Sequence, residues 1–334
     1  MASSPIIVTG AAGFIGFHVA LALTQRGDTV IGIDNLNDYY DPQLKRDRLA
    51  NLAEAGKLFK FINCDFADHT NLDTALSGES YDRIVHLGAQ AGVRYSLENP
   101  RAYIQSNLVG HLNMLELARY NKVSHFVYAS SSSVYGQNAK IPFSVEDRAD
   151  HPVSLYAATK KSDELISESY AHLYRIPMTG LRFFTVYGPW GRPDMAPWLF
   201  TEAILTGQPI KVFNNGEMRR DFTYIDDIVA GVIATLDTPP LDDHQTKPGG
   251  SHGPHAVYNI GNNQSESLGK FIEVIEDACG RKAEKIFMPM QAGDVPVTYA
   301  NIDEICSSVG YQPTIAIDVG LPSFVRWYRH YKGL

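Results

Sequence analysis

The stretch Ile6-Ile7-Val8-Thr9-Gly10-Ala11-Ala12-Gly13-Phe14-Ile15-Gly16 decides the fold. An apolar, β-branched run passes directly into a glycine triplet, and Phe14 to Gln25 then reads as a helix. Glycine is needed at such a junction because the turn is tight and an anion must come close to the backbone. The helix that follows offers free N–H groups and the positive end of its dipole. Glycines alone are weak evidence. Here they follow an N-terminal strand, and the next β-branched run, Thr29 to Ile33, ends at Asp34, which completes a dinucleotide-binding pattern. Gly10, Gly13, Phe14, Ile15 and Gly16 are therefore expected against a pyrophosphate, Asp34 against a ribose, and Asn35 also at the cofactor. A carboxylate accepts from ribose hydroxyls but repels a 2′-phosphate, so the expected cofactor is NAD. No arginine stands beside Asp34 in the sequence.

Outward from this junction, short apolar runs alternate with amphipathic stretches. Strands are expected at Phe59 to Ile62, Arg83 to His86, His125 to Tyr128 and Met178 to Phe184. Helices are expected at Leu44 to Glu54, Asn71 to Leu76 and Arg101 to Tyr120, with another starting near Ser154. The strand runs are continuously apolar, as in strands covered on both faces, which predicts a Rossmann-type, doubly wound parallel α/β sheet. Cys64-Asp65-Phe66, after the third strand, is placed to border an adenine. After Tyr187-Gly188-Pro189-Trp190-Gly191-Arg192-Pro193 the elements shorten. Residues 1–181 are thus expected to carry the dinucleotide, and 182–334 a smaller α/β substrate region with some segments returning to the sheet. Thr238 to His255 reads as a surface loop, with His244, His252 and His255 solvated and no metal site expected.

Composition narrows the function classes. The chain of 334 residues is 44% hydrophobic and 20% charged, enough to bury a substantial core. Its net charge of −8 has no basic block to offset it, which argues against a nucleic-acid or acidic-membrane partner. The 3 cysteines, Cys64, Cys279 and Cys306, form neither a zinc spacing nor a disulfide framework, so a reducing cytoplasm is expected. Ile6 to Leu23 is apolar but lacks a cationic leader and is broken by glycines and His18, unlike a signal or membrane segment.

The chemistry gathers around Tyr156-Ala157-Ala158-Thr159-Lys160, a phenol and an ammonium at i and i+4 on one helix face. A free phenol titrates at ~10, too high for a base at neutral pH. A cation about 4 Å away in a partly screened site favours a phenolate by roughly 4 kcal/mol. Tyr156 is therefore the candidate general base and Lys160 its electrostatic activator. Ser130-Ser131-Ser132-Ser133 follows the fifth strand, at the sheet edge where ligands of open α/β folds bind. A serine there can donate to the same substrate oxygen.

With these motifs in this order, the chain resembles the extended short-chain dehydrogenase/reductases over essentially its whole length. Within them it is most similar to nucleotide-sugar epimerases of the UDP-glucuronate 4-epimerase kind. The stretches that carry the likeness are His86 to Ser96, Ser130 to Gly136 and Arg182 to Met195. The resemblance implies a Tyr156, Lys160 and Ser131 catalytic set with Asn107 in support. It also implies cofactor contacts from Asp65, Phe66, Leu87, Ala89 and Gln90, and UDP contacts from Phe213, Arg220 and Asp294. Thr185, Gln291 and the Arg192-Pro193 pair depart from the galactose-type pattern. Ser130 to Tyr135 lacks the carboxylates of the dehydratase and decarboxylase relatives. The expected reaction interconverts UDP-glucuronate and UDP-galacturonate. Arg192, with Thr185, Ser132 and Ser133, would hold the sugar carboxylate; Arg94 instead takes that part or binds pyrophosphate. The alternatives are a 4-epimerase of a neutral or N-acetylated UDP-hexose, a UDP-glucuronate decarboxylase, and a non-catalytic NAD sensor. A homodimer through Arg101 to Tyr120 and Asp163 to Tyr174 is also implied.

Overall fold

The computed structural model describes residues 4–291 and 293–334. Among these residues twelve strands occur: β1 (Ile6–Thr9), β2 (Val30–Asp34), β3 (Phe59–Asn63), β4 (Arg83–His86), β5 (His125–Ser131), β6 (Met178–Phe183), β7 (Thr185–Tyr187), β8 (Ile210–Val212), β9 (Arg219–Tyr224), β10 (His255–Ile260), β11 (Ser265–Ser267) and β12 (Lys285–Phe287). Seven form one parallel sheet in the order β3-β2-β1-β4-β5-β6-β10. The chain order reverses between β1 and β4, which opens a crevice at the carboxyl ends of the strands.

The apolar runs have a simple cause: successive residues point to opposite faces, and both faces are covered. Ile6, Val8, Val30, Val85 and Val127 join one core layer, which includes Phe17, Ala20 and Leu23 of helix Phe14–Arg26. Ile7, Ile31, Ile84, Phe126 and Tyr128 join the other, with Met114, Leu115 and Ala118 of helix Gly110–Asn121. The first helix starts at Gly13 and stops at Gly27, whose φ of 99° closes it in the left-handed region.

Two expectations need correction. The helix read as Arg101 to Tyr120 is three segments, with a widened π-helical turn at Ile104–Val109 between Pro100–Tyr103 and Gly110–Asn121. His255 is not a solvated loop residue: it is buried in β10, bonded to the hydroxyl of Tyr128 at 2.8 Å and to Glu168 at 2.7 Å. His244 and His252 are exposed.

Beyond β6 the smaller elements assemble over the crevice. Strands β7, β9 and β11 form one sheet and β8 and β12 another, backed by helices Ala196–Thr206, Leu268–Cys279 and Ile317–Lys332. Helix Ile225–Leu236 returns to pack on the first helix, and β10 returns to the main sheet beside β6. No helix of the described residues is long and apolar enough to cross a membrane.

Candidate active site

The crevice continues under the smaller sheets as a cleft of about 1090 Å³. At one end lies the glycine turn. Gly10 has a φ of +68°, and a Cβ there would come within 2.9 Å of the Gly88 backbone; a Cβ on Gly16 would collide with the carbonyl oxygen of Gly10. Only hydrogen fits at these positions, which lets the turn pack tightly against the loop after β4 and the first helix start directly on it. Phe14, Ile15, Asn35, Phe66, Leu87, Ala89 and Gln90 line the same end.

Asp34 accepts from the backbone N–H groups of Ala12 at 3.2 Å and Leu36 at 2.9 Å, one on each oxygen, and lone pairs remain for hydroxyl donors. A cation does stand beside it, although the sequence shows none adjacent. The buried Lys45 ammonium lies 3.9 Å from Asp34 and bonds to the carbonyl and side chain of Asn37. Asp65 and Asn107 lie just behind the lining. Asp65 accepts from Asn35 at 3.1 Å. Asn107, buried in the π-helical turn, accepts from the Gln90 N–H at 2.8 Å and donates to the Gln90 carbonyl and to Thr159.

The centre of the cleft gathers Ser131, Ser132, Ser133, Tyr156, Lys160, Thr185 and Arg192. Helix Leu155–Tyr174 is capped by the Ser154 hydroxyl on the Ala157 N–H, and its first turns carry Tyr156 into the opening. Tyr156 packs edge-on against Tyr103, with ring centres 6.0 Å apart. The serine run splits by role. Ser131 accepts from the Ser133 N–H and so fixes the turn after β5, whereas Ser130 points away and donates to Glu164 at 2.6 Å. Glu164 is held in turn by two bonds from the Arg182 guanidinium, at 2.8 and 2.9 Å. Burial alone would push the Glu164 carboxyl up, but Arg182, Lys161 and Ser130 hold it down at about 2.

Arg192 is gripped edge-on by Asp194, with Nε at 3.0 Å and Nη2 at 2.5 Å, and the Tyr39 hydroxyl donates to Asp194 at 3.1 Å. The far half of the guanidinium fork keeps its donors. At the remaining end, Arg94 lies 5.3 Å over the Phe213 ring and 3.6 Å from Asp294. Arg220, also in the lining, bonds to the carbonyls of Arg219 and Pro296. Two guanidiniums around one carboxylate leave that end net positive, suited to a pyrophosphate.

Several residues escape a reading of the sequence. Asp194 and Tyr39 carry no signal in the sequence that would place them at Arg192. Arg48 is fully buried and makes no ion pair among the described residues. Its Nη1 bonds to the Ala12 carbonyl at 2.8 Å and its Nη2 to the Trp190 carbonyl at 2.6 Å, tying the glycine turn to the loop that carries Arg192.

Comparison with known proteins places the chain among relatives. Residues 6–261 match the model of the NAD dependent epimerase/dehydratase family. Protein CapI of Staphylococcus aureus is 49% identical over 331 residues, covering 98% of each chain. A probable UDP-glucuronate 4-epimerase of Rhizobium meliloti is 48% identical, covering 96% of each. Among solved structures, UDP-glucuronic acid 4-epimerase from Bacillus cereus, in complex with UDP-glucuronic acid and NAD, superposes with a TM-score of 0.87 at 33% identity, covering 98% of this chain and 99% of that one. The family match and these relatives span the glycine turn, Asp34 and the helix of Tyr156 and Lys160, and the chain belongs to the NAD dependent epimerase/dehydratase family.

Proposed function

We propose that the chain is a UDP-glucuronate 4-epimerase that interconverts UDP-glucuronate and UDP-galacturonate, with NAD in the crevice between Gly10 and Asp34. The observation that carries this reading is Arg192. A guanidinium with free donors shares the cleft with Tyr156, while Ser131, Ser132 and Ser133 bring no carboxylate to compete.

NAD, held between Gly10 and Asp34, would supply the hydride acceptor and donor for C4 of the sugar. Tyr156 accepts the proton of the 4-hydroxyl and later gives it back to O4. Lys160 favours the phenolate by charge, and Ser131 donates to the same oxygen. The oxidised sugar is a β-keto acid, which loses carbon dioxide when its carboxylate bond aligns with the carbonyl π system. Arg192, with Thr185, Ser132 and Ser133, holds the carboxylate out of that alignment. Arg94, Phe213, Arg220 and Asp294 seat the UDP. Phe66, Leu87, Ala89 and Gln90 line the cofactor, with Asp65 and Asn107 behind them.

In this reading residues 1–181 bind the dinucleotide and 182–334 the UDP-sugar. The protein works in the cytoplasm as a homodimer. Exposed Ile104, Leu112 and Tyr120 repeat at intervals of eight beside exposed Leu165 and Leu173, an apolar face suited to a second copy.

A second reading, a 4-epimerase of a neutral or N-acetylated UDP-hexose, draws on one observation: Asp194 already occupies one edge of Arg192. Incubation with UDP-glucuronate, without added cofactor, separates them. Galacturonate of unchanged mass is the expected product, and the Tyr156→Phe protein should form essentially none. A mass lower by carbon dioxide would mean decarboxylation. Turnover of UDP-glucose or UDP-GlcNAc alone would establish the second reading.

A further inference from the structure

Tyr156, Lys160 and Asp163 fall at i, i+4 and i+7 of one helix, and so on one face. Both charged groups are buried: Asp163 is 0% exposed and Lys160 3%. The Asp163 Oδ2 accepts from Lys160 Nζ at 3.0 Å, while its Oδ1 has no partner among the described residues. A half-satisfied buried carboxylate is a poor device for stability, because desolvation offsets most of the attraction and the bare oxygen adds its own cost.

The groups packed around this pair do not share its charge. On β4, His86 bonds to Thr9, and on helix Gly110–Asn121, His111 bonds to Ser167. Burial and the nearby Lys160 hold both imidazoles far below their ordinary value, His86 at about 3, so both are neutral. On β5, burial raises the Tyr128 phenol, which stays neutral and bonds to His255. On the same helix, Glu164 is engaged by Arg182 and Lys161. Asp163 is thus the one charge among these neighbours that is free to oppose Lys160.

We infer that Asp163 is a positioning residue that acts through Lys160: it holds the ammonium below Tyr156 and counterbalances its charge, and so sets the pH at which the phenol becomes a base. Burial pushes the Asp163 carboxyl up, against the pull of Lys160. As a carboxylate, Asp163 cancels part of the field that the ammonium exerts on Tyr156.

The inference rests on Tyr156 and Lys160 acting as proposed above, and its test uses the NAD-loaded enzyme. The readouts are the acid limb of the pH–rate profile with UDP-glucuronate and the ultraviolet titration of the phenolate, which needs no substrate. Asp163→Asn and Asp163→Ser should both move the limb and the titration to lower pH by about one unit, the effect of a unit charge two helical turns away in a half-screened interior. Asp163→Glu should leave them in place. Neutral variants that lose only thermal stability, with an unmoved limb, would overturn the inference, as would a shift to higher pH. A Tyr156→Phe protein that still turns over would instead refute the underlying assignment. If that protein is inactive and the limb of the Asp163 variants is unmoved, only the role of Asp163 falls.

Discussion

Arg192 is held before any substrate arrives. Asp194 takes its Nε and one Nη2 hydrogen, Tyr39 braces Asp194, and the outward half of the fork stays open to the cleft. Such a guanidinium offers its remaining donors in a fixed plane, which orients a carboxylate more strictly than a flexible ammonium does. Arg192→Ala should therefore lower kcat/KM for UDP-glucuronate by roughly tenfold to a hundredfold, the 1.5–3 kcal/mol of a charge-assisted bond, and release UDP-pentose. Asp194→Asn keeps the cation but loosens its plane. Its turnover should fall less, while the share of pentose in the product rises above that of the unmodified protein. Mass analysis of both product mixtures checks the pair of expectations. Arg192 was legible in the sequence as an arginine in a Pro/Gly loop, but Asp194 two positions on gave no sign that it would grip it. A side chain two residues away in a loop can point anywhere until the loop is folded.

Among the elements, helix Leu155–Tyr174 carries the most weight, because one face serves the cleft through Tyr156 and Lys160 and, a turn further on, anchors the helix to the sheet. The anchor is Glu164, bonded to Arg182 of β6 and to Ser130 of β5, and all three are buried. Removing the carboxylate would leave a buried guanidinium unpaired, so Glu164→Gln should cost about 3–5 kcal/mol in denaturant unfolding. The same pair gives the acid side of the stability curve its sign. The folded carboxyl sits at about 2, below its ordinary 4.5. Its contribution is therefore complete above 4.5 and is lost as pH falls towards 2, and Glu164→Gln should flatten that decline. The tyrosine and lysine of this helix were readable because a spacing of four is a property of any α-helix. The π-helical turn at Ile104–Val109 was not. Its residues share the apolar rhythm of the flanking turns, and the reciprocal bonds between Asn107 and Gln90 appear only once β4 and its loop are in place.

At the scale of the whole molecule, two faces remain to be accounted for: the cleft and the apolar surface opposite the smaller sheets. Leu165 is 61% exposed and Leu173 63% exposed, beside Leu112 and Tyr120 of the neighbouring helix. Leu112→Lys combined with Leu173→Glu should leave the fold intact and convert a dimer into monomers, as read by sedimentation. A wild-type protein that already sediments as a monomer would refute the proposed pairing. Acting on both copies at once, the double change places four charges in one symmetric contact.

The strands β1 to β6, the glycine turn, Asp34 and the Tyr156–Lys160 pair were set by the sequence alone. Each depends on residues near one another in the chain, where periodicity, backbone freedom and helical spacing act directly. Folding decided what depends on distant residues. It brought β10 and His255 to the edge of the main sheet, stood Lys45 beside Asp34, and made Arg48 the tie between the glycine turn and the Arg192 loop. It also paired Lys160 with Asp163 in a dry interior. Burial and the approach of charges are set by how the layers close over each other, and no local pattern of residue types encodes that distance.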